Sequence, residues 1–322
     1  MSIPEAQFQD AEKLLHNAQR IVIISHRGPD ADSVGSNLAL RLALVRQWGK
    51  EVISACVDPP PENCDHLEDF KSFMQDFDIS HADLVISVDC GAPTMLKFGD
   101  TKPELFSGTP PLLNIDHHTS NDGFGTVNLV DDNAAAAVQV VYHLLTRCRF
   151  RIDRHIATAL LSGLYFDTGS FMHSNTTPEV LEIAGRLMWK GADFKTIVRK
   201  QFRTMTVAQL KTFGTVFERT NVNRRKLTVA ALNDDDLRGI GATPEDTNGV
   251  IDYLNSVPEG NFSCFLYEDR QKGVKGSFRT RDDSINVSKV AGLFGGGGHK
   301  KAAGFLVPGR LRQITPRIKI DS

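Results

Sequence analysis

Ile21-Val22-Ile23-Ile24-Ser25-His26-Arg27-Gly28-Pro29-Asp30-Ala31-Asp32 is the stretch on which the fold turns. Four β-branched residues lead into a cluster of imidazole and carboxylate, and the arrangement recurs twice. Leu84-Val85-Ile86-Ser87-Val88 runs into Asp89, and Leu112-Leu113-Asn114-Ile115 runs into Asp116-His117-His118. Continuous apolar runs of this length suit strands of a parallel sheet buried on both faces. In an open α/β sheet, ligands sit beyond the carboxyl ends of the strands. Residues far apart in the chain therefore converge on one edge as a pocket of Asp and His. Asp167, in Tyr165-Phe166-Asp167-Thr168-Gly169, is expected just past the end of a helix over 155–164.

Outward from these clusters, strands alternate with helical stretches up to about residue 190, as in an α/β unit with parallel strands. The pattern predicts helices over 33–48, 134–145 and 178–190 and a strand over 52–57, with Pro59-Pro60-Pro61 as a break. Pro178 suits a first helical turn and Gly191 a stop. Residues 191–215 read as a helical connector. Strand character over 226–232, 261–267 and 273–279, followed by Gly295-Gly296-Gly297-Gly298, suggests a smaller α/β domain with a mixed sheet. The expected division is 1–190, 191–215 and 216–322.

With 322 residues and 41% apolar content, the chain is long enough for two cores. No apolar run approaches the roughly 20 residues that span a bilayer, and 4–20 lacks the apolar centre of a secretion signal, so no membrane partner and a cytoplasmic location are expected. Five cysteines without a C-x-x-C pair fit reduced thiols. Cys90, beside Asp89, reads more simply as a small buried residue than as a nucleophile. Residues 1–190 hold 15 Lys+Arg against 25 Asp+Glu, and 191–322 hold 22 against 14, so net charges of −10 and +8 underlie the overall −2. An acidic half suits cations and a basic half suits anions, the division a phosphate-handling enzyme needs.

Asp and His without cysteine favour divalent ions such as Mn²⁺, with Mg²⁺, Co²⁺ or Fe²⁺ compatible and zinc less so. Six side chains, His26, Asp30, Asp32, Asp89, His117 and Asp167, are too many for one ion with open positions. They suit two ions sharing a bridging carboxylate, a recurring solution for phosphoester hydrolysis. Taken singly, each cluster has a plainer explanation: Asp30 and Asp32 as helix caps, Asp167-Thr168-Gly169 as a turn, His117-His118 as a surface pair. Their shared position at strand and helix ends is what favours a metal site.

The chain resembles the DHH phosphoesterases, named for the triplet that stands here as Asp116-His117-His118. His26 to Asp32 with Gly35-Ser36, Val88-Asp89, Asp116-His117-His118 and Asp167-Thr168-Gly169 match the family's four motifs in order. Gly295 to His299 followed by Ala302-Ala303-Gly304 is similar to the signature of the DHHA1 domain. The resemblance covers nearly the whole chain and implies an N-terminal DHH domain with a parallel sheet flanked by helices, then a smaller α/β DHHA1 domain with a mixed sheet. It implies His26, Asp30 and Asp89 on one metal, Asp32, Asp89, His117 and Asp167 on the other, and Asp89 as the bridge. Asp116 is expected to orient a neighbouring ligand, and His118 to face the scissile phosphate as hydrogen-bond donor or acid.

In the basic half, the glycine run lets backbone N–H groups approach a ligand. Arg279 and Arg281 alternate along an expected strand and so share one face, where two guanidiniums can grip phosphate. With the resemblance, Arg279, Arg281, Gly296, Gly297, Gly298 and His299 form the expected substrate-binding set. The compact, two-domain form most resembles the NrnA-type members, which implies hydrolysis of short oligoribonucleotides or linear dinucleotides to mononucleotides, a phosphatase activity on 3′-phosphoadenosine 5′-phosphate and a homodimer. The connector is expected to let the basic domain close over substrate. Where related sequences often carry arginine, this chain has Met172, with His173 next to it. That departure keeps cyclic dinucleotide phosphodiesterase as the near alternative. A RecJ-like exonuclease is a less favoured alternative, since it is expected to need an additional oligonucleotide-binding domain with aromatic platforms. A catalytically dead nucleotide-binding regulator is disfavoured because every ligand carboxylate is present.

Overall fold

The computed structural model describes residues 2–99, 101–202, 205–314 and 317–321. It forms two compact units, residues 1–204 and 205–322. In the first, six strands, β1 (Arg20–Ser25), β2 (Glu51–Ala55), β3 (Phe73–Met74), β4 (Leu84–Val88), β5 (Leu112–Asp116) and β6 (Val127–Val130), lie in the order β3-β2-β1-β4-β5-β6. Every neighbouring pair is parallel. The order reverses between β1 and β4, the kind of switch point that opens a crevice at the carboxyl ends of strands. Register aligns Ser25 with Val88 and Val88 with Ile115, which brings the residues that follow to one level.

Two-sided burial explains the unbroken apolar runs. Ile21, Ile23, Leu84, Ile86 and Val88 face one core, whereas Val22, Ile24 and Val85 face a second. Helices α1 (Glu5–Asn17), α2 (Ala31–Trp48), α3 (Ala137–Arg147), α4 (Arg154–Asp167), α5 (Pro178–Trp189) and α6 (Phe194–Phe202) supply the first core. The second is closed by short 3-10 turns and loops carrying Phe77, Leu96, Phe98 and Leu105. Pro93, Pro103, Pro110 and Pro111 punctuate that stretch and preclude long helices there.

Helix α2 is buried almost all round from Ala31 to Leu44. Its approach to α4 depends on two glycines. A β-carbon at Gly35 would lie 2.5 Å from the Ala159 carbonyl oxygen, and one at Gly163 would lie 2.8 Å from Asp32 Oδ1. Gly49, at φ 63°, ends α2 in the left-handed conformation. No helix among the described residues is long and apolar enough to cross a membrane.

The second unit contains α7 (Val207–Glu218), α8 (Asp234–Ile240), α9 (Val250–Leu254) and α10 (Val287–Gly292). Its strands are β7 (Asn221–Val222), β8 (Leu227–Leu232), β9 (Phe262–Asp269), β10 (Gly273–Thr280), β11 (Gly297–Gly298), β12 (Ala302–Val307), β13 (Arg310–Ile314) and β14 (Arg317–Asp321). A six-stranded mixed sheet runs β11-β12-β10-β9-β8-β7, with β8 and β9 parallel and the other pairs antiparallel; β13 and β14 pair antiparallel as a separate two-stranded sheet. The stretch expected as a connector divides between the units. Helix α6 is held to the first by Lys200–Asp65 at 2.7 Å and Gln201 Nε2–Ser162 Oγ at 2.6 Å, whereas α7 packs into the second through Phe213 and Val216. Amphipathic helices of this length are drawn into whichever core covers their apolar face.

Candidate metal centre

His26, Asp89 and the Asp116-His117 pair stand at or just past the ends of β1, β4 and β5, and the other ligand candidates, Asp30, Asp32 and Asp167, come from helix ends. Asp30 caps α2, its Oδ1 accepting from Asp32 N–H at 2.8 Å and Ser33 N–H at 3.1 Å. Asp32 is fully buried, and its two oxygens accept from Ala137 N–H at 2.6 Å and Val138 N–H at 2.9 Å. A residue in the first turn of α2 thus caps the distant helix α3, whose positive dipole end favours the carboxylate. Asp89 follows β4 with φ 54°, a left-handed conformation that turns its carboxylate over the sheet edge. Asp167 is the last residue of α4 itself, not a residue beyond it.

These side chains converge. One atom each from His26, Asp30 and Asp89 lies within 4.8 Å of the others; Asp32, His117 and Asp167 form a second such group, and Asp89, Asp116, His117 and His118 a third. His26 Nε2 is 3.4 Å from Asp89 Oδ2, and His117 Nε2 is 3.4 Å from Asp89 Oδ1, so Asp89 stands between the first two groups. His117 Nε2 also lies 3.2 Å from Asp167 and 3.8 Å from Asp32. All six expected ligands come together, arranged about one shared carboxylate.

The geometry fits cations better than hydrogen bonds. A divalent ion with bonds of about 2.1 Å holds neighbouring ligands about 3.0–3.4 Å apart, close to these spacings. Asp89 Oδ1 is buried and accepts no hydrogen bond, although an imidazole nitrogen is near. His26 points Nδ1 at the Arg27 carbonyl, 2.9 Å away. Since a carbonyl only accepts, Nδ1 carries a proton, and Nε2, turned to Asp89, is the nitrogen that could ligate a cation.

Electrostatics points the same way. Burial, then the charges of Asp89 and Asp167, push Asp30 up to about 7, and the same causes hold Asp32 well above the usual carboxylate range. Burial also raises Asp167. Burial opposes ionisation of Asp89 too, but the His117 and His26 imidazoles outweigh it and hold this carboxyl below its ordinary value. Burial disfavours protonation of His26, yet Asp89 overcomes it and raises the imidazole to about 9; Asp167 and Asp89 likewise raise His117. Protons here do the neutralising that a cation would do.

Asp116 departs from expectation. Its Oδ1 accepts from His118 Nδ1 at 2.8 Å, so the imidazole it orients is His118 rather than the ligand candidate His117. Adjacent residues on an extended chain point to opposite sides, which turns the His118 ring back over Asp116. The Asp116 hydrogen bond raises His118 above the ordinary imidazole value. Its other oxygen accepts from Asn121 Nδ2 at 2.7 Å, a contact the sequence reading missed because Ser120-Asn121-Asp122-Gly123 carries only the signal of a turn. Burial pushes the Cys90 thiol up to about 12, which removes it as a nucleophile. Met172 is 80% exposed, whereas His173 folds back so that Nδ1 lies 3.3 Å from the Asp167 carbonyl.

In the second unit, Arg279 on β10 pairs with Ala302 on β12, beside the turn in which His299 N–H donates to Ala302 O at 2.8 Å. Arg279 and His299 therefore lie at the same end of the β10–β12 pair. Arg279 Nε also holds Asp252 Oδ1 at 3.2 Å. Arg281 lies beyond β10, which ends at Thr280, so it does not continue the strand alternation with Arg279. The glycine run serves close packing: a β-carbon at Gly296 would lie 2.2 Å from the Gly304 oxygen, and one at Gly298 would lie 2.5 Å from the Ala302 oxygen. The Gly296 N–H is spent on the Ala291 carbonyl at the end of α10, and Gly297 and Gly298 pair with β12 as β11. An open cradle of four amides is thus not what the run builds; tight strand approach accounts for it.

Residues 20–164 match the model of the DHH family, N-terminal domain, and residues 225–318 match that of the DHHA1 domain. The chain is 32% identical to the bifunctional oligoribonuclease and PAP phosphatase NrnA of Thermus thermophilus, covering 95% of this chain and 91% of that one. It is 23% identical to the protein of the same name from Bacillus subtilis, covering 88% of each. Among solved structures, an exopolyphosphatase-related protein from Bacteroides fragilis superposes with a TM-score of 0.86 at 25% identity, covering 94% of this chain and 92% of that one.

Proposed function

Because this chain belongs to the DHH family, we propose that it is a metal-dependent phosphoesterase that hydrolyses short oligoribonucleotides or linear dinucleotides to mononucleotides and removes the 3′-phosphate of 3′-phosphoadenosine 5′-phosphate. The observation that carries this reading is Asp89, one carboxylate whose two oxygens lie 3.4 Å from His26 Nε2 on one side and from His117 Nε2 on the other. The names of the Thermus and Bacillus relatives supply the substrate class. His26, Asp30 and Asp89 would hold one divalent ion, and Asp32, Asp89, His117 and Asp167 the other. An oxygen- and imidazole-only set favours Mn²⁺, with Mg²⁺ or Co²⁺ as substitutes. When bound, such a pair supplies an activated water and positive charge for the phosphoryl oxygens.

The chain's own residues do the rest. His118, oriented by Asp116, gives a proton from Nε2 to the leaving oxygen as the phosphorus–oxygen bond to it breaks, and the attacking water loses its proton to solvent. Arg279 and His299 bind substrate phosphate. A panel of RNA oligomers from two to about 20 nucleotides, 3′-phosphoadenosine 5′-phosphate and cyclic di-AMP, each with Mn²⁺ and alongside Asp89→Asn, tests the proposal. Preference for the shortest RNAs with 3′-phosphate release supports it. Turnover confined to cyclic di-AMP moves the protein to signalling turnover, and no turnover on any substrate refutes it.

A further inference from the structure

Beneath His118 lies a polar ladder built from three asparagines. Asn114, fully buried on β5, donates from Nδ2 to Asn121 Oδ1 at 3.0 Å and to Asn128 Oδ1 at 3.1 Å. Asn121 Oδ1 also accepts from Gly123 N–H at 2.9 Å. A backbone N–H can only donate, so the Asn121 amide has one possible orientation, with Nδ2 on the far side. That nitrogen donates to Asp116 Oδ2 at 2.7 Å and to the Cys90 carbonyl at 3.0 Å. Cys90 directly follows Asp89, so one amide group ties the carboxylate under His118 to the backbone beside the shared carboxylate.

The consequence is a relay of fixed geometry. Asp116 is fully buried and has one oxygen on His118 and the other on Asn121. With Oδ2 pinned, the plane of the carboxylate is set, and Oδ1 then sets the tilt of the imidazole. Gly91 closes the ring in from the other side, since a β-carbon there would lie 3.2 Å from His118 Cβ and 2.8 Å from Ser120 Oγ. We propose that Asn121 is a positioning residue for the phosphoester reaction, aiming His118 Nε2 at the leaving oxygen through Asp116. This rests on the reading of His118 as proton donor given above.

A positioning role and a merely structural one differ in how they depend on the leaving group. A ribose hydroxyl leaving from a dinucleotide needs a proton; the p-nitrophenolate leaving from the p-nitrophenyl ester of a nucleoside 5′-monophosphate does not. Asn121→Ala is expected to lower kcat about 10- to 100-fold on the dinucleotide, within the range of a displaced general acid, and less than about threefold on the nitrophenyl ester, with KM and bound metal unchanged. Asn121→Leu keeps close to the side-chain volume but has no donor, so it gives the same selective loss even if the alanine variant folds poorly. Asn128→Ala cuts the same ladder away from Asp116 and is expected to show no selectivity for leaving group.

Equal losses on both esters in the Asn121 variants, no loss on either, or the same selectivity in Asn128→Ala would overturn the proposal. His118→Ala, assayed in parallel, separates this from failure of the underlying reading. If His118→Ala is selective and the Asn121 variants are not, Asn121 has no positioning role; if His118→Ala slows both esters alike, the proton-donor assignment itself falls.

Discussion

Removing metal should reverse the direction in which pH acts on stability. In the metal-free protein, Asp30 titrates near 7 against about 3.9 in an unfolded chain, so between those values the folded state holds a proton that the unfolded state has lost. Stability from this group is greatest at the acid end of that window and falls as pH rises through it. His26, raised to about 9 from an unfolded value near 6.5, acts in the same direction: its contribution is whole below about 6.5 and is lost as pH climbs to about 9. Asp89 acts oppositely, but only below the ordinary carboxylate range, outside a scan from pH 5 to 9. One proton's difference is about 1.4 kcal/mol per pH unit. Allowing for the mutual dependence of these groups, the loss from pH 5 to 9 is on the order of 3 kcal/mol, or about 6–12 °C of melting temperature for a unit of this size. Thermal melts of the first unit's transition in the full chain, in EDTA across that range, measure it. With Mn²⁺, protons compete with the ion for the same ligands, so stability should instead rise with pH. A metal-free protein more stable at pH 9 than at pH 5, or one slope common to both states, would refute this arrangement of charges.

Asp89→Asn should abolish turnover at saturating metal, because one amide cannot present two anionic oxygens to two ions; activity within tenfold of wild type would sink the bridging role. Gly163→Ala should destabilise by about 1–2 kcal/mol, overpacking offset by the better helix former, and should weaken metal binding at Asp32, since the new methyl lies 2.8 Å from Asp32 Oδ1 and 2.7 Å from Val138 Cγ1. An unchanged melting temperature together with unchanged metal content would contradict that packing. Arg279→Ala should raise KM for nucleotide substrates and leave bound metal unaltered, as measured by steady-state kinetics and elemental analysis; loss of metal would contradict the division between the two units.

Strands β1, β4 and β5 were legible because two cores bury them on both faces, which leaves an unbroken apolar run for each. The clusters after them were legible because the carboxyl edge of a parallel sheet gathers whatever follows its strands. Helix ends were less so: α4 runs to Asp167 rather than stopping at 164, since nothing in Tyr165-Phe166-Asp167 opposes a helix and the breaker is Gly169, at φ 53°. The Asn121–Asp116–His118 relay was invisible because a turn asparagine and an asparagine that holds a carboxylate look the same in one dimension. Arg281 and Gly296 were misread for a related reason. Alternation assumes the strand continues, and a glycine run does not say whether its freedom serves a ligand or a neighbouring strand.

Caps and ligands were opposed readings of Asp30 and Asp32 from the sequence, and the structure removes the opposition. A carboxylate offers about four lone pairs, and one or two are used by the amides at the start of α2 or α3. Those bonds stop the side chains from rotating away from one another. Asp89 is constrained by its left-handed backbone, and Asp167 by a helix end followed by three residues, Gly169, Ser170 and Phe171, all at positive φ. Repulsion among four carboxylates held this close, two of them buried and two only partly exposed, is relieved chiefly by protons or by cations. If a cation is bound as proposed, the capping bonds already hold these side chains close to its geometry, and little of the binding energy need go to reorganisation.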